Sequence, residues 1–399
     1  MKLARRLKDI QPSPTLALNA RAKALAAAGE DVVGFAAGEP DFDTPEHIKR
    51  AAVQALEEGF TKYTATAGTP ELRAAICDKL KSDNALTYTP EQVLVSNGAK
   101  QCLYNFFQAV LDEGDEVIIF NPAWMSYPEM VLLAGGRPVF VQTREADGWV
   151  PDPELFARAL SPRTRAVVLN SPSNPTGAVL SPEALAALAD VLERHPDVLV
   201  VTDDIYEKLL YTGRPFVQVL NVAPGLADRT LVVNGLSKAF AMTGWRLGYA
   251  AGPKPLISAM SMLQDQSTSN ASSIGQRAAV AALRGPMDTV ELMVREFLVR
   301  RDLFVAGMQA LPGVRLRPPE GAFYLFPSFQ GLLAKRHRGK PLENSLRLSQ
   351  VLLDDYRLAA VPGTPFGGEG HLRFSFAASR ATIEKGLARL RDFVGGLTG

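Results

Sequence analysis

Between Val93 and Ala250 short apolar runs alternate with longer helical patterns, and this alternation narrows the fold more than any other feature of the chain. The runs are Val93–Val95, Val117–Phe120, Pro138–Val141, Ala166–Leu169, Val198–Val201, Leu231–Val233 and Leu247–Ala250. They show almost no polar positions, as expected of strands covered on both faces rather than strands with one wet face. Strands of that kind separated by helices build a mostly parallel sheet between helical layers. The prediction is therefore an α/β fold around a mostly parallel seven-stranded sheet. One covering helix runs from Pro182 to Leu192, opened by Ser181 as N-cap with proline in the first turn, and Thr44-Pro45-Glu46 opens another by the same device. After Pro286 the pattern changes to a long charged helix towards Ala310, then short strands and turns, then a helix from Thr382 to Phe393. That change predicts a second, smaller α+β domain. The expected division is an N-terminal arm with part of the small domain (1–42), a large domain (43–288) and a C-terminal small domain (289–399).

Bulk composition excludes more than it selects. With 43 basic and 42 acidic side chains, the net charge of +1 offers no overall attraction to nucleic acid or to an anionic membrane, so any anionic ligand must be met locally. Cys77 and Cys102 lack metal-site spacing and read as small core residues of a reduced compartment, and His47, His195, His337 and His371 show no ligand spacing, so no metal is expected. No apolar run approaches the roughly 18 residues of a membrane span, and Met1–Arg6 lacks the apolar core of a secretion signal. A cytoplasmic location is the expectation.

The ends of the runs carry the chemistry, and strand ends are where open α/β sheets keep their sites. Leu231–Val233 leads into Asn234-Gly235-Leu236-Ser237-Lys238, with Gly244-Trp245-Arg246 close behind. A lysine among small and apolar neighbours loses solvation of its ammonium form, which lowers its pKa and frees an amine that can attack a carbonyl. Arg246 can hold an anion such as a phosphate. Val93–Val95 leads into Ser96-Asn97-Gly98-Ala99-Lys100, a glycine-bearing helix start whose free amides also suit an anion. Ala166–Leu169 leads into the stiff turn Asn170–Gly177, in which an asparagine can present its amide to a ligand oxygen. Val198–Val201 leads into Asp203, Asp204 and Tyr206, and a carboxylate leaving a buried strand is costly unless a cation or strong donors meet it. A phosphate cradle, an amide donor, a buried carboxylate, a phenol and an amine together match what pyridoxal phosphate requires. Neither Gly-x-Gly-x-x-Gly after a strand nor a P-loop motif is present.

With those residues in place, the chain resembles the class I aminotransferases among the fold-type I pyridoxal-phosphate enzymes, closest to the bacterial aspartate aminotransferase subgroup. Ser237-Lys238 with Gly244-Trp245-Arg246-Leu247-Gly248 matches the family's cofactor-attachment motif, Asn174-Pro175-Thr176-Gly177 its cofactor-contact loop, and Asp203 to Tyr206 its pyridine-binding strand end. The resemblance implies Lys238 as the cofactor-bearing lysine and Asp203 as the partner of the pyridine nitrogen. It further implies Asn174 and Tyr206 as donors to the ring hydroxyl, Trp124 stacked on the ring, and Gly98, Ala99, Ser237 and Arg246 around the phosphate. Tyr63 is the residue that would reach the phosphate of the neighbouring subunit, which implies a homodimer with shared active sites.

Substrate recognition follows from the same likeness. In His371–Phe376 alternation sets Leu372, Phe374 and Phe376 on one face and Arg373 on the other, a pattern that without context describes a solvated arginine. The resemblance instead makes Arg373 the fork for the substrate α-carboxylate, assisted by the Gly38 backbone. Lys100 matches a lysine that serves the distal carboxylate in the aspartate subgroup, and Thr15 belongs to the same pocket. The implied reaction is ping-pong transfer of an amino group from L-aspartate to 2-oxoglutarate. Aromatic, alanine or prephenate aminotransferase and a pyridoxal-phosphate C–S β-lyase are the alternatives. Gln11, before Pro12, stands where prephenate-accepting members carry a basic residue, which argues against that second activity.

Overall fold

The structure, a computed structural model, describes residues 1–8, 10 and 14–398. Gln11 and the Thr15 side chain, both invoked above, lie outside the described residues. All seven apolar runs are strands: β1 (Val93–Ser96), β2 (Glu116–Asn121), β3 (Arg137–Gln142), β4 (Thr164–Asn170), β5 (Leu199–Asp203), β6 (Thr230–Gly235) and β7 (Gly248–Ala251). They form one sheet in the order β1-β7-β6-β5-β4-β2-β3. Pairing is parallel throughout β3-β2-β4-β5-β6, and β7 runs antiparallel to both β6 and β1.

The lack of polar positions has a direct structural cause. Val93, Val95, Ile118, Val167, Val200 and Val232 face one core, which they share with helices Glu46–Glu57, Pro70–Asn84, Pro182–Glu193 and Ser273–Arg284. Their immediate neighbours Leu94, Val117, Ile119, Ala166, Val168, Val201, Leu231 and Val233 face a second core, under helices Ala99–Val110, Ser126–Leu133 and Lys254–Asp265. Successive side chains point to opposite faces, so a sheet covered on both sides needs apolar residues at every position; the edge strand β3, where Phe140 is 46% exposed, is the exception.

Of the two helix caps read from sequence, one is formed. Ser181 accepts from the Ala184 amide at 3.2 Å. Thr44 is a correction: the helix begins at Glu46 without a side-chain cap. The Thr44 hydroxyl instead donates to the Ala241 carbonyl (2.7 Å) and accepts from Trp245 Nε1 (2.9 Å). Its hydroxyl thereby fastens the segment before that helix to the Lys238–Arg246 loop.

A further core joins the two ends of the chain. Val33 and Phe35 pack with Phe297, Phe304, Phe323, Leu352, Leu358, Phe374 and Leu390. Helices Asp288–Gln309, Ser345–Tyr356 and Arg380–Gly395 frame this core, and Leu372–Ser375 is the middle strand between Val361–Pro362 and Tyr324–Leu325. Val33–Gly34 pairs in parallel with Leu358–Ala359. Arg300 on the long helix reaches both oxygens of Asp41 (2.7 and 2.9 Å) and Glu296 (2.8 Å), and Glu296 also pairs with Arg380. Among the described residues no helix is long and apolar enough to cross a membrane.

Candidate active site

A pocket of about 440 Å³ opens where the sheet ends meet the further core. Its walls include Gly38, Ala99, Lys100, Trp124, Asn174, Asp203, Tyr206, Ser237, Lys238, Arg246 and Arg373. Sheet register gathers them: Asn170 at the end of β4 lies beside Asp203 at the end of β5, while Ser96 and Gly235 both pair with Gly248. Tyr63 is not among the wall residues and is 92% exposed.

The anion cradle depends on two glycines. Gly98 has φ 91° and precedes the helix Ala99–Val110, and a Cβ there would lie 2.5 Å from Arg246 Nη2. Only glycine permits that backbone together with that approach of the guanidinium. Arg246 is held by the Thr243 carbonyl (3.0 Å) and the Asn97 carbonyl (3.3 Å). A Cβ on Gly248 would lie 2.1 Å from the Ala99 nitrogen, so the helix start rests directly on β7. First-turn amides and an arginine converging on one spot fit a phosphate.

Asp203 is buried, and burial pushes its carboxyl up to about 6 against the opposing pull of Tyr127, the Ile205 amide and Lys238. Tyr127 donates to Oδ2 at 2.6 Å. Asn170 donates Nδ2 to the Asp203 carbonyl (2.8 Å) and accepts from the Asn174 amide (3.0 Å), locking the two strand ends together. Burial lowers Lys238 to about 8, against Glu39, which favours its charged form. Its Nζ donates to the Gly38 carbonyl. Tyr206 and Tyr324 share a hydrogen bond of 2.9 Å, and burial raises the Tyr206 phenol well above its usual value. These donors, the buried carboxylate and the depressed amine fit pyridoxal phosphate in chemical type.

Besides Arg246 of the cradle, two further cations stand in the walls without a carboxylate partner among the described residues. Arg373 is 2% exposed, so alternation did not place it in solvent; the strand that carries it is covered on both sides. Its Nη1 donates to Asn174 Oδ1 (2.9 Å) and its Nη2 to the Ala36 carbonyl (3.1 Å), while buried Nε has no partner. Lys100 Nζ sits 4.8 Å from the centre of the Trp124 ring, and partial desolvation followed by Arg246 lowers its pKa. Among the described residues no carboxylate lies within ion-pair distance of Arg373, Lys100 or Arg246. A buried guanidinium with an orphaned N–H is costly until an anion meets it.

Tyr127 and Tyr324 were not foreseen. Tyr127 lies three residues beyond Trp124, and Tyr324 occupies a two-residue strand with no local motif. Their contacts span 76 and 118 residues, so no short-range signal marks them.

Known proteins share this fold over nearly the whole chain. The chain is 46% identical, over 99% of its length and 100% of the relative's, to an aspartate/prephenate aminotransferase of Nitrosomonas europaea. The solved aspartate aminotransferase of Rhizobium meliloti superposes with a TM-score of 0.97 at 45% identity, covering 100% of both chains. The Thermus thermophilus aspartate aminotransferase solved with maleate gives 0.93 at 45% identity, covering 98% of this chain and 100% of that one. The sequence pattern of aminotransferase class I and II matches residues 30–390. On that span the chain belongs to the class I and II aminotransferases, pyridoxal-phosphate enzymes of fold type I.

Proposed function

We propose that this aminotransferase binds pyridoxal phosphate and moves the amino group of L-aspartate to 2-oxoglutarate in two half-reactions, acting as a cytoplasmic homodimer with shared active sites. The observation that carries the substrate reading is the pair of unmatched cations, Arg373 and Lys100, in one pocket with Lys238. A dicarboxylic amino acid brings one carboxylate for each. The maleate bound by the Thermus relative is a dicarboxylate too.

When bound, pyridoxal phosphate supplies the carbonyl that takes the amino group and a ring that accepts electrons. Gly98, Ala99, Ser237 and Arg246 hold its phosphate, with Tyr63 reaching across from the neighbouring subunit. Asp203, anionic above about 6, holds the ring nitrogen's proton. Asn174 and Tyr206 would donate to the ring oxygen, and Trp124 would cover the ring face. Arg373 grips the α-carboxylate through its fork while Gly38 lines the same side. Lys100 and Thr15 serve the distal carboxylate. Lys238, its pKa lowered by burial to about 8, holds its proton less tightly than an exposed lysine, which suits it to remove the α-proton and return it. The domains act as 1–42 with 289–399 against 43–288, and their closure excludes water.

Comparing kcat/KM for aspartate, alanine, phenylalanine and prephenate tests the substrate reading. Aspartate should lead, and Lys100→Ala should cost about 10- to 100-fold on aspartate, equivalent to about 1.4–2.7 kcal/mol, while sparing alanine. A parent that prefers alanine or phenylalanine refutes it. Lys238→Ala should abolish turnover, and a variant that still turns over removes Lys238 from its role. The name of the Nitrosomonas relative makes prephenate the second substrate to test.

A further inference from the structure

Among the described residues Tyr63 is the most exposed aromatic, at 92%, yet the loop that carries it is pinned from beneath by two glutamines that no solvent reaches. Gln276, 0% exposed, donates Nε2 to Thr64 Oγ1 (3.0 Å) and to the Ala271 carbonyl (2.8 Å), and accepts from the Thr69 amide (2.7 Å). Gln264, also 0% exposed, donates Nε2 to the Thr66 carbonyl (3.1 Å) and the Val95 carbonyl (2.9 Å). Its Oε1 accepts from Ser96 Oγ (2.6 Å) and Asn105 Nδ2 (3.0 Å). Gly68, at φ 103°, lets the loop sit on β1: a Cβ there would lie 2.6 Å from Val95 Cγ2, and the Val95 amide donates to the Ala67 carbonyl at 3.0 Å.

Both carboxamides use both N–H groups, and each oxygen accepts at least one hydrogen bond. Burying two such groups is costly unless fully satisfied, and an apolar side chain fills a core at less cost, so a satisfied buried network marks a place where geometry is fixed. The geometry fixed here is that of Thr64 to Thr69, the residues that follow Tyr63. Ser96 closes β1 two residues before Gly98, so Gln264 also joins this loop to the anion cradle of its own chain.

We propose that Gln276 and Gln264 are positioning residues that hold the Tyr63 loop ready for the partner subunit's cofactor, with Gln264 tying that loop to the cradle of its own subunit. The proposal rests on the reading that Tyr63 reaches across the dimer. It carries a directional consequence: the hydrogen-bond partners of Gln276 (Thr64, Thr69 and Ala271) are not wall residues of its own pocket, so its effect falls on the other subunit's site. Gln264 acts on both.

Hybrid dimers of differently tagged chains isolate that direction. In one arrangement a chain bearing Lys238→Ala and Gln276→Leu pairs with an unaltered chain; in the other, a chain bearing only Lys238→Ala pairs with a chain bearing Gln276→Leu. Each hybrid keeps one Lys238, and the cofactor retained there after dialysis is counted by borohydride reduction and mass spectrometry, alongside KM and kcat. The first arrangement should hold cofactor about tenfold more weakly than the Lys238→Ala parent hybrid, the worth of about one hydrogen bond, and the second should match that parent. Thr64→Val, which removes the loop's side-chain acceptor for Gln276 together with a longer bond from Thr64 Oγ1 to the Ala65 carbonyl (3.3 Å), should give the same asymmetry at about threefold and serves if Gln276→Leu does not fold. Tyr63→Phe in both arrangements checks the underlying reading, and its failure to act on the other subunit's site overturns that reading. If Tyr63→Phe acts across the dimer but Gln276→Leu and Thr64→Val weaken both arrangements equally or neither, the positioning proposal is overturned alone.

Discussion

Gly248→Ala adds one methyl group to β7 with no demand on the backbone, since Gly248 is not among the residues of positive φ. The new Cβ would lie 2.1 Å from the Ala99 nitrogen, 2.4 Å from the Gly98 carbonyl carbon and 2.8 Å from the Ala99 Cα. Ordinary contact begins near 3.4 Å, so the closest approach falls short by about 1.3 Å (3.4 minus 2.1). All three atoms are main chain and none can rotate away. Either the helix Ala99–Val110 lifts from the sheet or β7 retreats, and overpacking of this kind costs about 1–3 kcal/mol of stability. The displaced groups include the Ala99 amide and, two residues before Gly248, Arg246. Weakening one charge-assisted contact to phosphate by about 1.4–2.7 kcal/mol loosens the cofactor about 10- to 100-fold. Titrating cofactor-free protein with pyridoxal phosphate and following tryptophan fluorescence, for which Trp124 is in the pocket wall, measures the change. Gly244→Ala is the matched control from the same motif, because a Cβ there meets no atom within 4 Å and affinity should stay within about twofold. If Gly248→Ala binds as tightly and melts as high as the parent, the account of the cradle as a helix seated on a bare strand is wrong.

Arg373→Met removes a buried guanidinium whose Nε has no partner, so the unloaded protein should be as stable as the parent or up to about 2 kcal/mol more stable. Its kcat/KM for aspartate should fall about 1000-fold with two charge-assisted bonds lost; a melting point several degrees below the parent contradicts the first half. Capture of pyridoxal phosphate by the unloaded protein, measured by borohydride trapping, should quicken about tenfold per pH unit and level off above about 8, where Lys238 has lost its proton. A rate still climbing steadily beyond pH 9 contradicts the lowered value. Glu296, held at about 2 chiefly by its hydrogen bond from Arg380, contributes stability that is complete above its unfolded value near 4.5 and is lost as pH falls from there towards 2. Glu296→Gln should therefore cost roughly 1–2 kcal/mol at pH 7, after allowance for solvent screening, and nothing near pH 2, as read from urea midpoints; an equal loss at both pH values contradicts it.

The sheet was legible because burial on both faces leaves a one-dimensional mark, an unbroken apolar run, that needs no knowledge of partners. The strands of the further core leave no such mark. Val33–Gly34, Tyr324–Leu325 and Leu358–Ala359 are two residues each, too short for alternation to register. At the site, residues borne on motifs were found, while those that orient them were not. Asn170 was noticed as part of a stiff turn, but its bond to the Asp203 carbonyl exists only because β4 and β5 are neighbours. Thr44 shows the opposite failure: a local cap signal lost to partners 197 and 201 residues away, a carbonyl and an indole N–H. Arg373 shows that alternation assigns a side to a residue without saying whether that side is wet.

The pairing of Val33 with Leu358 also has a meaning in time. At a synthesis rate of about 5–20 residues per second, the 325 residues between them (358 minus 33) take roughly 16–65 s to emerge. For that interval Val33 and Phe35, which end in the core fully or almost fully buried, have no Leu358, Phe374 or Gly386 to pack against. The large sheet, complete at Ala251, can be assembled while they wait. Val33 and Phe35 thus reach their final packing only after the C-terminal strands and helix have been made. A circular permutant that opens before Asp43 and carries residues 1–42 behind the C-terminal helix would deliver Val33 and Phe35 alongside their partners and should raise the yield of folded protein.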